Sequence, residues 1–284
     1  MLSSGGARGY AHIGAIEALE ARGYRIASVT GTSMGALVGG MYCAGRLPQL
    51  KEWLYSLTRR DIIALLDLSL GKNYVVKGEK LIGTLQSMAP EVNIEALPIP
   101  FRVVAADLAT QREVVFTKGS LYRAIRSSIS MPSVFKPIKV AHHLLVDGGI
   151  VNPLPLNRAV RSEGDLLVSI NVSAPASEAV EEMREMARRK ERDMQGLLSL
   201  QRVFSKLVSD NAASNYMTLL SSAIALQIQR NTVLSQKLTP PDIAVNIPMN
   251  RFGVFQFEQA RHITRVGFKE MNKALDVYEA TQEQ

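Results

Sequence analysis

The sequence predicts an α/β protein in which a central, mostly parallel sheet is covered by helices on both faces, with additional helices toward the C-terminus. Apolar runs with strand character alternate with helical patterns through residues 1–173, which is typical of α/β units. The runs are continuously apolar rather than alternating, which indicates a sheet buried on both faces. A hydrophobic content of 46% and a charged content of 21% exclude disorder of the whole chain.

The first part of the chain supplies a helix, a strand and a buried helix. Residues 10–22 carry apolar side chains at helical spacing, and Gly23 follows as a natural C-terminal stop. Residues 24–29 predict a short strand that runs into Gly31. Residues 34–44 are small and apolar, which predicts a helix packed against the sheet.

The rest of the chain repeats the alternation and then becomes more helical. Further strands are predicted at 101–106, 113–117, 144–146, 166–172 and 242–247, and helices at 120–129, 197–230 and 257–275. With no fixed-period repeat and no Gly/Ser linker, residues 1–284 read as one domain. Within it we expect a catalytic core over 1–173, a helical insertion or lid-like region over 176–235, and a closing strand and helix over 242–284.

Composition narrows the classes of partner. The net charge is +7, but we find no motif that reads nucleic acid and no long basic run, so no nucleic-acid partner is expected. The densest basic stretch, 184–192, includes Glu185 and Glu191, which is typical of a solvated helix face. If the positive charge has a function, attraction to anionic lipid headgroups fits it best.

Cysteine, histidine and hydropathy patterns argue against several other features. Cys43 is the single cysteine, which excludes an internal disulfide, and the four histidines have no zinc-type spacing, so no metal or cofactor is expected. No signal sequence is visible at the start, and the longest apolar stretch, 217–228, is too short to span a bilayer. We therefore expect a cytoplasmic protein that is either soluble or peripheral on the membrane.

The pentapeptide around Ser33 is the first candidate functional element. Gly31-x-Ser33-x-Gly35 stands between a predicted strand and an apolar helix, the context of a nucleophile on a sharp strand-to-helix turn. Glycines are needed where a side chain would collide with neighbouring backbone. The simpler interpretation, a turn at Gly31 with Ser33 as an N-cap, stays open on this motif alone.

A glycine-rich loop before the first helix is the second element. Adjacent glycines expose N–H groups that bind an anion, as a hydrolase requires for its tetrahedral oxyanion. The loop contains Gly5, Gly6, Ala7, Arg8 and Gly9. A dinucleotide-binding loop is the alternative, but the acidic ribose-binding residue expected roughly 20 residues on is absent.

Asp147, which precedes Gly148 and Gly149 at the end of a predicted strand, is the third element. By itself this tripeptide is a common turn. Together with the two other elements, it supplies a candidate general base that would take the proton of a serine hydroxyl.

In this order, the three elements resemble the patatin-like phospholipase family. Supporting stretches that match the family pattern are 8–14, 124–128 leading to Pro132, Phe135 and Pro137, and Gly164-Asp165, so the similarity covers residues 3–173. The chain departs from the pattern at Ser4, where the family usually has glycine, and it lacks room for a full strand before the loop.

The resemblance carries expectations about the fold, the site and the substrate. It implies a three-layer α/β/α architecture and a Ser33–Asp147 dyad that uses no histidine. It also implies an oxyanion hole formed by the glycine-rich loop, with Arg8 beside it. The implied substrates are phospholipids, lysophospholipids or other fatty-acyl esters, hydrolysed through an acyl-enzyme.

Three alternatives remain at this level. An ordinary α/β-hydrolase triad would add His262, although this histidine falls within a helical pattern; His12, His142 and His143 are expected to be structural. A non-catalytic lipid-binding or regulatory module would retain the fold without turnover. Acyl transfer to an alcohol would use the same acyl-enzyme.

The late helical region holds an apolar stripe that suits either the core or a lipid-facing surface. Its members are Tyr216, Met217, Leu219, Leu220, Ile224, Leu226 and Ile228. At helical spacing such a stripe is more often part of the core, and this is our expectation; an acyl-chain wall or an interfacial face is the alternative.

Overall fold

The computed structural model describes residues 1–65, 77–132, 134–178 and 213–282. The strands are β1 (Val29–Thr32), β2 (Phe101–Asp107), β3 (Arg112–Phe116), β4 (Ile138–Val140), β5 (His143–Asp147), β6 (Val168–Ala174) and β7 (Ile243–Pro248). The helices are α1 (Ala11–Ala21), α2 (Met34–Cys43), α3 (Leu47–Ser56), α4 (Arg59–Leu65), α5 (Glu79–Met88), α6 (Leu121–Ser128), α7 (Ala213–Leu238) and α8 (Ala260–Gln282). The predicted α/β class, with additional C-terminal helices, is confirmed.

The sheet is parallel in one half and antiparallel in the other. β1 pairs with β2 and β6 pairs with β7 in parallel, and Leu2 bridges Gly31 and Ile170, also in parallel. β3 and β5 pair with β2, and β4 with β5, all antiparallel. The expectation of a mostly parallel sheet therefore holds for the pairs β1–β2 and β6–β7, but not for the pairs that β3, β4 and β5 form. The connections 108–111 and 141–142 are too short for a crossover and can only close hairpins.

The pairing on β2 brings the ends of two strands together. β3 occupies one edge of β2 over Val103–Asp107. β1 and β5 share the opposite edge, where β1 runs parallel and ends opposite Val104, and β5 runs antiparallel and ends opposite Ala105. The carboxyl ends of β1 and β5 therefore meet head to head, next to Ser33 and at Asp147.

The closing helix α8 packs against α1 through two glycines. A Cβ on Gly14 would contact the carbonyl oxygen of Thr264, and a Cβ on Gly267 would contact that of Ala11. Such close approach of two helix backbones is available only to glycine. The C-terminal part of the chain is thereby fixed against the helix that follows the glycine-rich loop.

Two predicted strands begin later than expected, and other elements were not predicted. β1 begins at Val29 rather than at residue 24, and β6 at Val168 rather than at residue 166. Helices α3, α4 and α5 and the short strand β4 were not predicted. The helices 120–129 and 34–44, and the strand 101–106, lie within a residue or two of their predicted bounds.

The expectation that the stripe on α7 belongs to the core is wrong for three of its leucines. Leu219 is 66% exposed, Leu226 is 59% exposed and Leu220 is 36% exposed. The helix is attached through polar groups instead: Gln227 donates to the carbonyl of Ile150, and Ser235 to that of Leu154. The side chains of Tyr216 and Met217 lie outside those described.

Much of the predicted insertion lies outside the described residues. Residues 179–212, which include the basic stretch 184–192, are not among them, so the insertion and the internal domain boundaries stay predictions. Among the helices that are described, none combines the length and hydropathy needed to cross a membrane.

Candidate active site

Ser33 occupies a strained turn between β1 and α2. Its backbone has φ 56° and ψ −121°, outside the regions that non-glycine residues ordinarily adopt. Its N–H donates to Ser128 Oγ at 2.7 Å, and that hydroxyl donates to the carbonyl of Val104 at 2.6 Å. Such a conformation typically costs about 1–3 kcal/mol and persists only where neighbouring groups fix it. Here α6 and β2 supply those groups.

The motif glycines around this turn touch backbone. A Cβ on Gly31 would contact the carbonyl oxygen of Gly35 and would lie 2.6 Å from the nitrogen of Ala36. A Cβ on Gly35 would contact the carbonyl oxygen of Leu2 and lie 2.7 Å from that of Ser3. The turn therefore needs both glycines for the reason expected from the sequence: the backbone leaves no room for a side chain.

Asp147 lies directly against Ser33. Ser33 Oγ donates to Asp147 Oδ2 at 2.5 Å, and the N–H of Gly149 donates to Asp147 Oδ1 at 2.7 Å. Asp147 is 5% exposed and Ser33 is 7% exposed. A Cβ on Gly148 would contact the carbonyl of Val104, which explains why the turn after Asp147 begins with glycine.

The burial of Asp147 changes its acidity. Burial raises the pKa of this carboxyl from 3.8 to about 6, although the hydrogen bonds from Ser33 and Gly149 lower it in part. Desolvation disfavours the ionised form, so the carboxylate is a better proton acceptor than an exposed aspartate. A carboxylate with a pKa near 6 in direct contact with a hydroxyl is suited to accept its proton near neutral pH.

The glycine-rich loop lies next to this pair. Gly6 has φ +57° and lines the same cavity as Ser33. A Cβ on Gly9 would contact the side chain of Met34, the residue that follows the serine. The N–H groups of Gly5 and Gly6 donate to no other group within the described ranges. These two N–H groups are free to donate, as an oxyanion hole requires. That they form the oxyanion hole stays a prediction.

Two other residues of the loop have different partners. The N–H of Ala7 donates to the carbonyl of Val254 at 2.9 Å. Arg8 donates from Nε to the carbonyl of Gly5 at 3.1 Å and from Nη1 to that of Met249 at 2.6 Å. Ala7 and Arg8 therefore connect the loop to the chain before α8.

An apolar cavity of about 120 Å³ opens at Ser33 and Asp147. The other residues that line it are Gly6, Tyr10, Met34, Leu37, Trp53, Leu54, Leu57, Ile62, Leu65, Leu81, Ile129, Met131, Val134, Phe135, Val254, Phe255 and Phe257. Most come from α3, α4, α5 and two loops, and the sequence did not predict them as part of the site. The spacing of Leu50, Trp53, Leu54 and Leu57 was the available signal, since it predicts an amphipathic helix.

The histidines do not contact the pair. His12 is fully buried, with Nε2 hydrogen-bonded to the carbonyl of Ser3 at 2.9 Å, and burial lowers its pKa to about 4. His143 Nδ1 lies 2.6 Å from Asp107 Oδ2, and its ring stacks against His142. His262 is exposed on α8, where its ring meets the ring of Phe252. Asp147 thus bonds to Ser33 without an intervening imidazole, and the described residues contain no acidic or histidine cluster suited to a metal.

Comparison with known proteins shows which sequences this chain resembles. The family model for patatin-like phospholipase matches residues 1–160, more than half of the chain. An uncharacterized NTE family protein of Mycobacterium bovis is 45% identical over 172 residues, which are 61% of this chain and 48% of that protein. Neuropathy target esterase sws of Drosophila persimilis is 36% identical over 162 residues, 55% of this chain and 11% of that protein.

The chain therefore spans about half the length of its mycobacterial relative and about a tenth of its fly relative. Among solved structures, VipD from Legionella pneumophila matches with a TM-score of 0.48 and 17% identity, over 97% of this chain and 66% of that one.

Proposed function

Because the chain belongs to the patatin-like phospholipase family, we propose that it hydrolyses lipid acyl esters, with Ser33 as nucleophile and Asp147 as general base. The observation that carries the proposal is the 2.5 Å hydrogen bond from Ser33 Oγ to Asp147 Oδ2 at the wall of an apolar cavity. A hydroxyl bonded to a buried carboxylate is an activated nucleophile, and the cavity suits the acyl part of its substrate.

Acylation begins with attack by Ser33 Oγ on the acyl carbonyl carbon. Its proton passes to Asp147 Oδ2, while the hydrogen bond from Gly149 holds the other carboxylate oxygen in place. Collapse of the tetrahedral intermediate breaks the ester C–O bond, and Asp147 returns the proton to the departing alcohol. The product is an acyl-Ser33 ester and a free alcohol.

The negative charge that develops on the carbonyl oxygen requires donors. We assign this role to the N–H groups of Gly5 and Gly6, which have no other acceptor within the described ranges. Loss of one such donor typically costs about 10²–10³ in rate. The guanidinium of Arg8 supports the loop through the carbonyl of Gly5 rather than by contact with the substrate.

Deacylation uses the same carboxylate a second time. Asp147 accepts a proton from water as the water attacks the acyl carbonyl, and the proton returns to Ser33 Oγ when the fatty acid leaves. With an alcohol in place of water the same acyl-enzyme would give acyl transfer. A net charge of +7 favours approach to an anionic lipid surface, where such esters are concentrated.

The test is a lipidomic comparison of wild type with Ser33→Ala. Both proteins are incubated with vesicles of mixed phospholipids and lysophospholipids, and released fatty acids are measured by mass spectrometry. Ser28→Ala, which removes a half-buried serine hydroxyl just before β1, is the matched control. We expect release by wild type and the control but not by Ser33→Ala. Equal release by Ser33→Ala would contradict the proposal.

A further inference from the structure

Arg126 is a buried cation close to the candidate active site, and the proposed mechanism gives it no role. It lies on α6 two residues before Ser128, the residue that holds the N–H of Ser33, and it is 7% exposed. Burial lowers the pKa of its guanidinium from the ordinary value. Burying a cation is costly unless its hydrogen bonds are satisfied, so its partners indicate what it does.

The guanidinium joins the residue before Gly78 and α5 to two points in the connection between α6 and β4. Nη1 donates to Ser130 Oγ at 2.6 Å, and Nη2 donates to the carbonyls of Lys77 and, at 2.9 Å, Lys136. Lys77 precedes α5, whereas Ser130 and Lys136 lie near the two ends of the connection between α6 and β4. The planar fork of an arginine holds its N–H donors in fixed directions, which suits it to several acceptors at once.

The acceptors Lys77 and Lys136 are sequence neighbours of Gly78 and Phe135, and these two neighbours connect Arg126 to the cavity wall. The guanidinium lies over the ring of Phe135, 5.6 Å from its centroid, and Phe135 lines the cavity. At Gly78, φ is +77°, and a Cβ there would lie 2.9 Å from Arg126 Nε and 3.1 Å from Phe135 Cδ1. The start of α5, which carries the cavity residue Leu81, is therefore packed directly on this pair.

The third contact leads to the catalytic carboxylate through the backbone. Ser130, which receives a hydrogen bond from Arg126, accepts one from the N–H of Asp147 through its own carbonyl at 3.0 Å. The Ser130 hydroxyl also donates back to the carbonyl of Arg126 at 2.7 Å. One side chain thus connects the apolar wall to the strand end that presents Asp147.

We infer that Arg126 is a positioning residue that fixes the wall of the acyl cavity relative to the Ser33–Asp147 pair and thereby sets the preference for long acyl chains. The inference rests on the proposed function and deepens it. An ester whose acyl group is too short to reach Phe135 and Leu81 does not depend on this wall, whereas a long-chain ester does. Arg126 therefore acts on binding of the chain rather than on the reacting atoms.

The test compares two probes on each variant, p-nitrophenyl acetate and p-nitrophenyl octanoate. Arg126→Lys keeps the charge and most of the stem but cannot bond Ser130, Lys77 and Lys136 together. We expect kcat/KM for the octanoate to fall about tenfold, through KM, and the value for the acetate to change less than about twofold. Arg123→Lys, on the exposed face of the same helix, is the matched control and should change neither.

Arg126→Met provides a second variant, because it removes the guanidinium and its hydrogen bonds while a flexible, unbranched side chain still fills part of the space. It should show the same selective loss on the octanoate, and thermal melts identify any variant that fails to fold. Equal loss on both esters, or no loss on either, would overturn the inference, as would failure of both variants to fold. If wild type hydrolyses neither ester, the proposed function fails instead.

Discussion

The polar side of the site is held by backbone contacts, whereas the cavity wall consists of side chains from separate helices and loops. Ser33 follows β1 and Asp147 ends β5, the two strands that meet on one edge of β2, and glycines beside both residues touch carbonyl groups directly. The wall is formed by residues such as Trp53, Leu57 and Phe135, which α3 and two loops contribute. A substitution on the polar side should therefore abolish hydrolysis or destabilise the whole fold. A substitution in the wall should only weaken binding of the acyl chain.

Asp147→Asn should produce the largest effect, with opposite consequences for activity and stability. The amide cannot accept the proton of Ser33, so we expect hydrolysis to fall at least about 10³-fold. The substituted side chain keeps an oxygen for the N–H of Gly149 and removes a buried carboxylate. The variant should therefore resist unfolding better than wild type near neutral pH.

The stability difference should depend on pH in a defined direction. Below pH 3.8 the carboxyl is protonated in both the folded and the unfolded wild type, so the two proteins differ little. Between pH 3.8 and about 6 the unfolded chain releases the proton while the folded chain keeps it, and wild type loses stability relative to the variant. Above about pH 6 the gap is constant at about 3 kcal/mol. Urea unfolding at pH 3.5 and pH 8 measures it, and a gap that does not widen with pH would contradict a raised pKa.

Gly35→Ala tests whether the backbone around Ser33 leaves any space. Alanine normally stabilises a helix relative to glycine, but here its Cβ would contact the carbonyl of Leu2. We expect a loss of about 1–3 kcal/mol in the free energy of unfolding, together with a loss of hydrolysis. Gly83→Ala, within α5, has nothing within 4 Å of its Cβ and should stabilise by about 0.5–1 kcal/mol. Similar effects at the two positions would show that close packing at Gly35 is not what requires glycine.

The pH dependence of wild-type hydrolysis reports the ionisation of Asp147 directly. In the proposed mechanism the proton acceptor is the Asp147 carboxylate, and burial raises its pKa to about 6. We expect kcat/KM for an uncharged ester to be level above pH 6 and to fall about tenfold per pH unit below it. A stopped-flow or steady-state profile from pH 4 to pH 8 measures this. A profile that stays level down to pH 4 would argue against a base of raised pKa.

Leu57→Ala should give the smallest effect and one confined to the cavity wall. Leu57 lines the cavity but makes no contact with the reacting atoms, so we expect KM for p-nitrophenyl octanoate to rise about threefold to tenfold at unchanged kcat. The acetate ester should be hydrolysed as by wild type. An equal change for both esters would show that this wall does not hold the acyl chain.

The same division explains what could be predicted from the sequence. Ser33 and Asp147 could each be predicted as candidates because the glycines beside them are needed where backbone approaches backbone, and this requirement appears in a few adjacent residues. Their pairing was implied by the resemblance to the patatin-like phospholipase family. No comparable local sequence pattern identifies the residues of the cavity wall. The spacing of Leu50, Trp53 and Leu54 predicts a helix with one apolar face, but not that part of this face would border Ser33.

Long-range contacts account for the finer differences within the glycine-rich loop. All five loop residues, from Gly5 to Gly9, were candidates for the oxyanion hole on the sequence alone. The N–H of Ala7 is bonded to Val254 and the side chain of Arg8 to Met249, both more than 240 residues away along the chain. Which amides stay free therefore depends on how the C-terminal part packs, and no local pattern contains that information.

The central claim, a Ser33–Asp147 dyad that uses no histidine, is tested most directly by labelling with a fluorophosphonate probe, which reacts only with an activated serine. The labelling rate is measured for wild type, Ser33→Ala, Asp147→Asn and His262→Ala, each first shown to be folded by its thermal melt. We predict that His262→Ala labels as fast as wild type and that Ser33→Ala and Asp147→Asn do not label. Loss of labelling in His262→Ala, or labelling of Asp147→Asn at the wild-type rate, would contradict the dyad.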